Sequence, residues 1–180
     1  MSPPAVYRFC PPCGAPLATR VIKAGDPPRL VCDACGFVMY LNPKVAACAI
    51  TTIDGHVVLL RRGIEPEQGK WAFPGGFVDR GETAAAAAAR EAREEVGLLV
   101  EPEDLVGVYS YPGIEVVVIV YSARVVGGAL CIGDECLEVG TFAPGAIPWA
   151  DLAFRSTREA LADYVRRYFR LEPVLPAVPA

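Results

Sequence analysis

The sequence predicts an α/β domain, a mixed sheet covered by helices on its two faces, preceded by a small cysteine-held module. Apolar runs of strand type stand on both sides of one strongly specified helix, a second amphipathic helix closes the chain, and two C-x-x-C knuckles precede the first long strand. A length of 180 residues allows one ordinary domain plus a small appendage. The formal net charge of −4 argues against general binding to nucleic acid or to anionic membranes. No charged start leads into an apolar h-region, and no apolar run approaches about 18 residues. A soluble, cytoplasmic protein without nucleic-acid or membrane partners is expected.

Residues 1–9 form a Pro-containing lead-in, expected to be loose. Cys10-Pro-Pro-Cys13-Gly and Cys32-Asp-Ala-Cys35-Gly follow, with 18 residues between the knuckles, a spacing that reads as a four-thiolate Zn²⁺ ribbon. Two disulfides are the alternative, which a cytosolic compartment disfavours. A structural metal explains how about 30 residues with almost no core become ordered. Cys48, Cys131 and Cys136 are left over and are expected to be buried small hydrophobes. Asn42-Pro43 marks the boundary, giving a ribbon over 7–41, a main domain over 42–170 and a disordered tail over 171–180, which holds three prolines.

In the main domain, 45–53 and 56–61 flank Asp54-Gly55 and read as a hairpin. The only histidine, His56, lies at that turn, so histidine acid–base chemistry is not expected. A loop over 64–70 leads to short strands at 71–73 and 77–78, either side of Pro74-Gly75-Gly76. The central helix is well specified: Gly81 lets the chain turn, Thr83 or a neighbour caps, six alanines fill 84–89, and Gly97 stops it. Strands are expected at 105–109, 114–126 and 137–142, with a Pro112-Gly113 turn, and a second helix at 156–170 with a serine cap.

Glu82, Glu91, Glu94 and Glu95 crowd one loop-and-helix unit. At about 100° per residue, Glu91 and Glu95 project from one face with Glu94 at its edge. Arg90 can pair with Glu94 at i, i+4, but one weak pair cannot neutralise the group. Such a cluster keeps its charge only around a cation, and oxygen donors suit a hard one such as Mg²⁺. An acidic helix face solvated by water alone is the bland alternative.

The flanks decide between them. Gly76, five residues, Glu82, seven residues, then Arg90-Glu91-Ala92-Arg93-Glu94-Glu95-Val96-Gly97-Leu98 resembles the Nudix box of the Nudix hydrolases, and Trp71, Pro74 and Gly75 match the usual entry into it. The resemblance implies an α/β/α sandwich that hydrolyses a diphosphate linkage of a small nucleotide with Mg²⁺ or Mn²⁺. It implies Glu91 and Glu95 as principal ligands and Arg90 as the residue orienting the glutamates; the charge cluster itself suits two or more metals on Glu91, Glu94 and Glu95, helped by Glu82 and the Gly75 carbonyl. The general base varies in the family between a box glutamate and one from a late loop, here Glu135 or Glu138, which an ordinary solvated loop explains equally well. Arg61 and Arg62 are candidates for substrate phosphate or plain surface charge. Tyr109, Tyr111 and Phe142 are candidates for stacking a base or for the core.

Joining a zinc ribbon to this box resembles the NADH pyrophosphatases, yet their SQPWPFPxS array is absent and VYSYPGIEVVVIVY stands in its place. Pro112, fifteen residues past Gly97, lies close to where ADP-ribose pyrophosphatases carry a characteristic proline. The run from FCPPCG to IPWADLAF looks most like ribbon-bearing members that act on ADP-ribose and FAD. Three readings follow: a diphosphatase of this kind, a nucleoside triphosphate pyrophosphohydrolase, or a non-catalytic nucleotide sensor. Sensors usually lose box glutamates or the arginine, and none is missing here. Many members of the family are homodimers, which this chain is compatible with.

Overall fold

The computed structural model describes residues 7–173; the start of the expected lead-in and 174–180 of the expected tail lie outside the described residues. The chain divides into two units, Met1–Asn42 and Pro43–Ala180. In the first, β1 (Leu17–Arg20), β2 (Arg29–Cys32) and β3 (Val38–Met39) form a three-stranded antiparallel sheet. Little apolar surface is buried there beyond Cys10, Leu30 and Cys32. Each C-x-x-C knuckle closes in the same way: Gly14 N–H donates to the Cys10 carbonyl and Gly36 N–H to that of Cys32, both glycines in the left-handed region.

The second unit is built on β4 (Lys44–Ile53), β5 (His56–Arg62), β6 (Trp71–Ala72), β7 (Gly75–Phe77), β8 (Leu98–Tyr109), β9 (Val116–Gly128) and β10 (Cys136–Phe142). The strand order is β10-β5-β4-β9-β8, with β6 added to β5 and β7 to the first half of β4. Only β4 and β9 run parallel, so the sheet is mixed as expected. Asp54 and Gly55, both at positive φ, turn β4 into β5 as a tight hairpin.

Period-two alternation builds the layers. Ala47, Ala49, Val58 and Leu60 face α1 (Ala84–Val96) and meet Ala87, Ala88, Ala92 and Val96, whereas Cys48, Ile50, Val57 and Leu59 join the opposite core with Ala160, Leu161 and Val165. Those last residues belong to α2 (Arg155–Tyr164) and to the π-helical turn Val165–Phe169 that prolongs it. The result is the α/β/α sandwich. Among the described residues no helix is long and apolar enough to cross a membrane.

Three expectations are corrected. Strand β8 starts at Leu98, not 105; Glu101-Pro102-Glu103-Asp104 masks the alternation, and β8 tolerates the proline because it lies on the sheet edge, with register shifts on either side. Ser156 does not cap α2: the N-cap is Phe154, without a side-chain bond, and Ser156 is buried inside the first turn. Cys131 is exposed, unlike Cys48 and Cys136, because its segment runs over the C-terminal end of α1, donating Cys131 N–H to the Val96 carbonyl.

Candidate active site

Helix α1 is delimited by local chemistry. The Thr83 hydroxyl accepts from Ala86 N–H at 3.1 Å, and Gly97, at φ 75°, sends its N–H back to the carbonyls of Ala92 and Arg93. Its sheet-facing side is alanine, so the helix lies close to β4 and presents its next turn, Arg90 to Glu95, beside β7.

Arg90 gathers the carboxylates. Its guanidinium donates to Glu82 Oε1 at 3.0 Å and Oε2 at 3.1 Å, to Glu91 Oε1 at 2.7 Å, to Glu94 Oε2 at 3.0 Å, and to the Phe77 carbonyl at 3.1 Å. The fork therefore holds three glutamates and the end of β7 at once. Arg90 holds the Glu82 carboxyl below its usual value, and Glu82 and Glu91 raise that of Arg90.

Glu95 is held differently. Its Oε2 accepts the Gly75 N–H at 2.8 Å. Burial pushes the Glu95 carboxyl up to about 7 against that hydrogen bond, and the charge of Glu91 adds to the rise. Burial also raises Glu91, offset by Arg90 and reinforced by Glu94 and Glu135. The two glycines before the helix are steric requirements. A Cβ on Gly75 would stand 2.2 Å from Cys48 Sγ, and one on Gly76 would stand 2.3 Å from Glu91 Oε1.

This cluster forms one wall of a cavity of about 1200 Å³. Glu91, Glu94, Glu95 and Arg90 line it together with Gly75, Gly76, Asp79, Arg62, Glu135 and Tyr111. Arg62 donates to the Pro66 carbonyl at 2.9 Å and its guanidinium lies 5.0 Å over the Phe154 ring; no described carboxylate pairs with it. Glu135 is exposed and its side chain has no described hydrogen-bond or ion-pair partner. Arg61 and Glu138 stand outside the lining, where they face one another across β5 and β10 at 3.6 Å. Tyr109 is buried in the core, its hydroxyl on Asp163 at 2.9 Å, and Phe142 packs edge-on against Trp71. Of the three aromatics, Tyr111 alone reaches the cavity.

Phe154, Arg155 and the Glu159 that holds Tyr111 escaped the linear reading. Phe154 and Arg155 line the cavity opposite in character to the acidic wall, and Arg155 lies 4.3 Å over the Tyr111 ring. In the sequence they are one more aromatic and one more arginine at the start of a charged helix, with no spacing signal to separate them.

The donor set on the acidic wall fits a hard divalent cation: every candidate ligand is oxygen, Glu91 sits in space that only glycine at 76 leaves open, and the carboxylates outnumber the one arginine among them. The only group of potential metal ligands gathered within 4.8 Å among the described residues is Cys10, Cys13, Cys32 and Cys35. Arg90 engages Glu91 and Glu94 instead of leaving them converged. In the thiol cluster, Cys10 and Cys35 sulfurs are 3.6 Å apart and those of Cys13 and Cys32 3.5 Å, near the about 3.8 Å edge of a tetrahedron with 2.3 Å Zn–S bonds. None of the four is in a disulfide. Burial pushes the Cys10 thiol up to about 12; for Cys32 burial is outweighed by the Cys35 N–H and the neighbouring thiols, which bring it down to about 7.

Comparison with known proteins agrees with both parts. The NUDIX domain model matches residues 41–164 and the Nudix N-terminal model residues 8–41. An ADP-ribose pyrophosphatase of Methanocaldococcus jannaschii is 39% identical over 132 residues, 71% of this chain and 76% of that protein. The NAD-capped RNA hydrolase NudC of Stutzerimonas stutzeri is 29% identical over 177 residues, 94% of this chain, which spans 60% of that relative's length. A NUDIX hydrolase structure from Nitrosomonas europaea superposes with a TM-score of 0.85 at 36% identity, covering 94% of this chain and 97% of that one.

Proposed function

Because this chain belongs to the Nudix hydrolases, we propose that it cleaves the internal diphosphate of a nucleoside diphosphate linked to a second group, of ADP-ribose, FAD or NADH type, to give AMP and the partner's monophosphate. The observation that carries this reading is the single wall on which Arg90 holds Glu82, Glu91 and Glu94 beside the half-buried Glu95, facing a cavity roomy enough for a dinucleotide. The name of the M. jannaschii relative supports the ADP-ribose type.

Glu91, Glu94 and Glu95, with the Gly75 carbonyl, would hold Mg²⁺ or Mn²⁺. When bound, such a cation neutralises diphosphate oxygens that otherwise repel hydroxide and lowers the pKa of water. The chain does the rest. Gly75 N–H fixes Glu95, Arg90 fixes the other glutamates, and Arg62, with no carboxylate partner of its own, attracts a phosphate. Glu135 lines the cavity with its carboxylate unengaged and accepts the proton of the attacking water. The new P–O bond forms as the bond from that phosphorus to the bridging oxygen breaks, and the partner leaves as a monophosphate. The four thiolates would hold a structural Zn²⁺, since a closed four-sulfur site leaves no position for water.

The test is a panel of dinucleotides and nucleoside triphosphates incubated with Mg²⁺ or Mn²⁺, with products separated by chromatography. AMP and a second monophosphate are expected. Triphosphates releasing pyrophosphate with kcat/KM about a hundredfold higher, a difference of about 2.7 kcal/mol in transition-state binding, would replace this reading with the triphosphatase.

A further inference from the structure

The cavity is also lined by two guanidinium–aromatic pairs, and the two arginines differ in how their charge is satisfied. Arg62, over Phe154, bonds to the Pro66 carbonyl and has no described carboxylate within ion-pair distance, so its guanidinium is open to an anionic ligand. Arg155, over Tyr111 at 4.3 Å, is already paired with Glu159 at 2.7 Å, and Glu159 also accepts the Tyr111 hydroxyl at 2.7 Å. The three groups lock one another: the guanidinium carbon of Arg155 sits over the Tyr111 ring, and Glu159 ties both side chains. Arg155 lines the cavity with 64% of its side chain exposed, so the guanidinium is open to a ligand there. A guanidinium whose charge is met by a carboxylate and whose inner face is covered by a ring is poorly suited to a second anion. It is well suited to stacking on a flat π system.

We propose that Arg155, backed by Tyr111 and held by Glu159, is the specificity-determining platform on which the nucleobase of the substrate stacks, while Arg62 takes a phosphate. The inference deepens the diphosphatase reading and rests on it for the identity of the substrate, not for the existence of a base platform. It divides recognition into a charge-reading residue near the acidic wall and a shape-reading residue at the start of α2. Phosphate contacts thus set binding of any diphosphate, and the stack sets the preference for one end of it.

AMP and ribose 5-phosphate, which differ by the base, are the probes, measured by calorimetry with the full chain in Mg²⁺. Wild type is expected to bind AMP about tenfold or more tighter than ribose 5-phosphate. That preference should collapse toward unity in both Arg155→Ala and Arg155→Lys, since lysine restores charge but not the plane, while affinity for ribose 5-phosphate stays within about twofold. Tyr111→Phe, which frees the ring from Glu159 but leaves it under the guanidinium, should keep most of the preference. Equal binding of the two probes by wild type, rescue by Arg155→Lys, or equal weakening of both probes in Arg155→Ala would each overturn the proposal. Failure of the diphosphatase reading is seen separately, in the products released from intact dinucleotides.

Discussion

Glu95 is the residue on which burial and function oppose each other most directly. An ordinary glutamate titrates at about 4.3, whereas burial lifts Glu95 to about 7. Between those values the folded protein binds a proton that the unfolded chain has released. Stability in the absence of divalent cations is therefore fully present below the lower value and is lost as pH rises through the higher one. In cation-free buffer, Glu95→Gln should remove about 1–3 kcal/mol of this pH-dependent loss, seen as a thermal midpoint that falls less from pH 5 to pH 8 than in wild type. The same variant should keep its fold and lose most of its Mg²⁺-dependent turnover. Identical pH slopes in the two proteins would show that Glu95 titrates normally, and undiminished turnover would remove it from the site.

At the scale of elements, α1 and the segment crossing its C-terminal end behave as one device. Gly97 stops the helix at φ 75°, and a Cβ there would come 2.4 Å from the Ala129 carbonyl oxygen and 2.5 Å from Cys131 Sγ. Backbone cannot give way as a long side chain can, so left-handed strain and overlap act together. Gly97→Ala is expected to cost about 2–3 kcal/mol in denaturant unfolding. Gly145→Ala, where nothing stands within 4 Å and φ is not left-handed, should stay within about 0.5 kcal/mol. Similar midpoints for the two variants would show that the crossing segment is not packed on the helix end. The same segment carries Glu135, so loosening it should also reduce turnover.

At the scale of the whole molecule, the two units draw stability from different sources. Among the described residues, both apolar cores are assembled after Pro43, and none of their members comes from the first unit. The first unit has short strands and a cluster of four thiols in place of a core. Purified protein should carry about one zinc per chain. Cys32→Ser should lose that zinc and expose residues 7–42 to protease, while the far-ultraviolet dichroism and cooperative unfolding of the α/β unit persist. Freshly purified protein without zinc, never exposed to chelator, would refute the four-thiolate site; unfolding of the entire chain in Cys32→Ser would refute the independence of the two units.

Features that depend on short-range chemistry are legible in the residues alone. Knuckle spacing, the Asp54-Gly55 hairpin, the Thr83 cap, the Gly97 stop and the crowding of four glutamates around one helical turn are all set within a few residues, so they could be read without coordinates. Which side chains from distant strands share the cavity follows from the packing of the sheet and helices. Arg61 and Arg62 are neighbours in the chain, but strand alternation sends one to Glu138 and the other to the cavity. Tyr109 and Tyr111 are two residues apart, yet a core position takes the first and the start of α2 meets the second. Arg155 joins the site because the β4–β9 pairing and the α2-facing core bring residue 155 beside residue 111. The physical reason is range: caps, turns and i, i+4 charges act over a few ångströms along the chain, whereas cavity composition depends on sheet order and face, which emerge only when the apolar cores are buried.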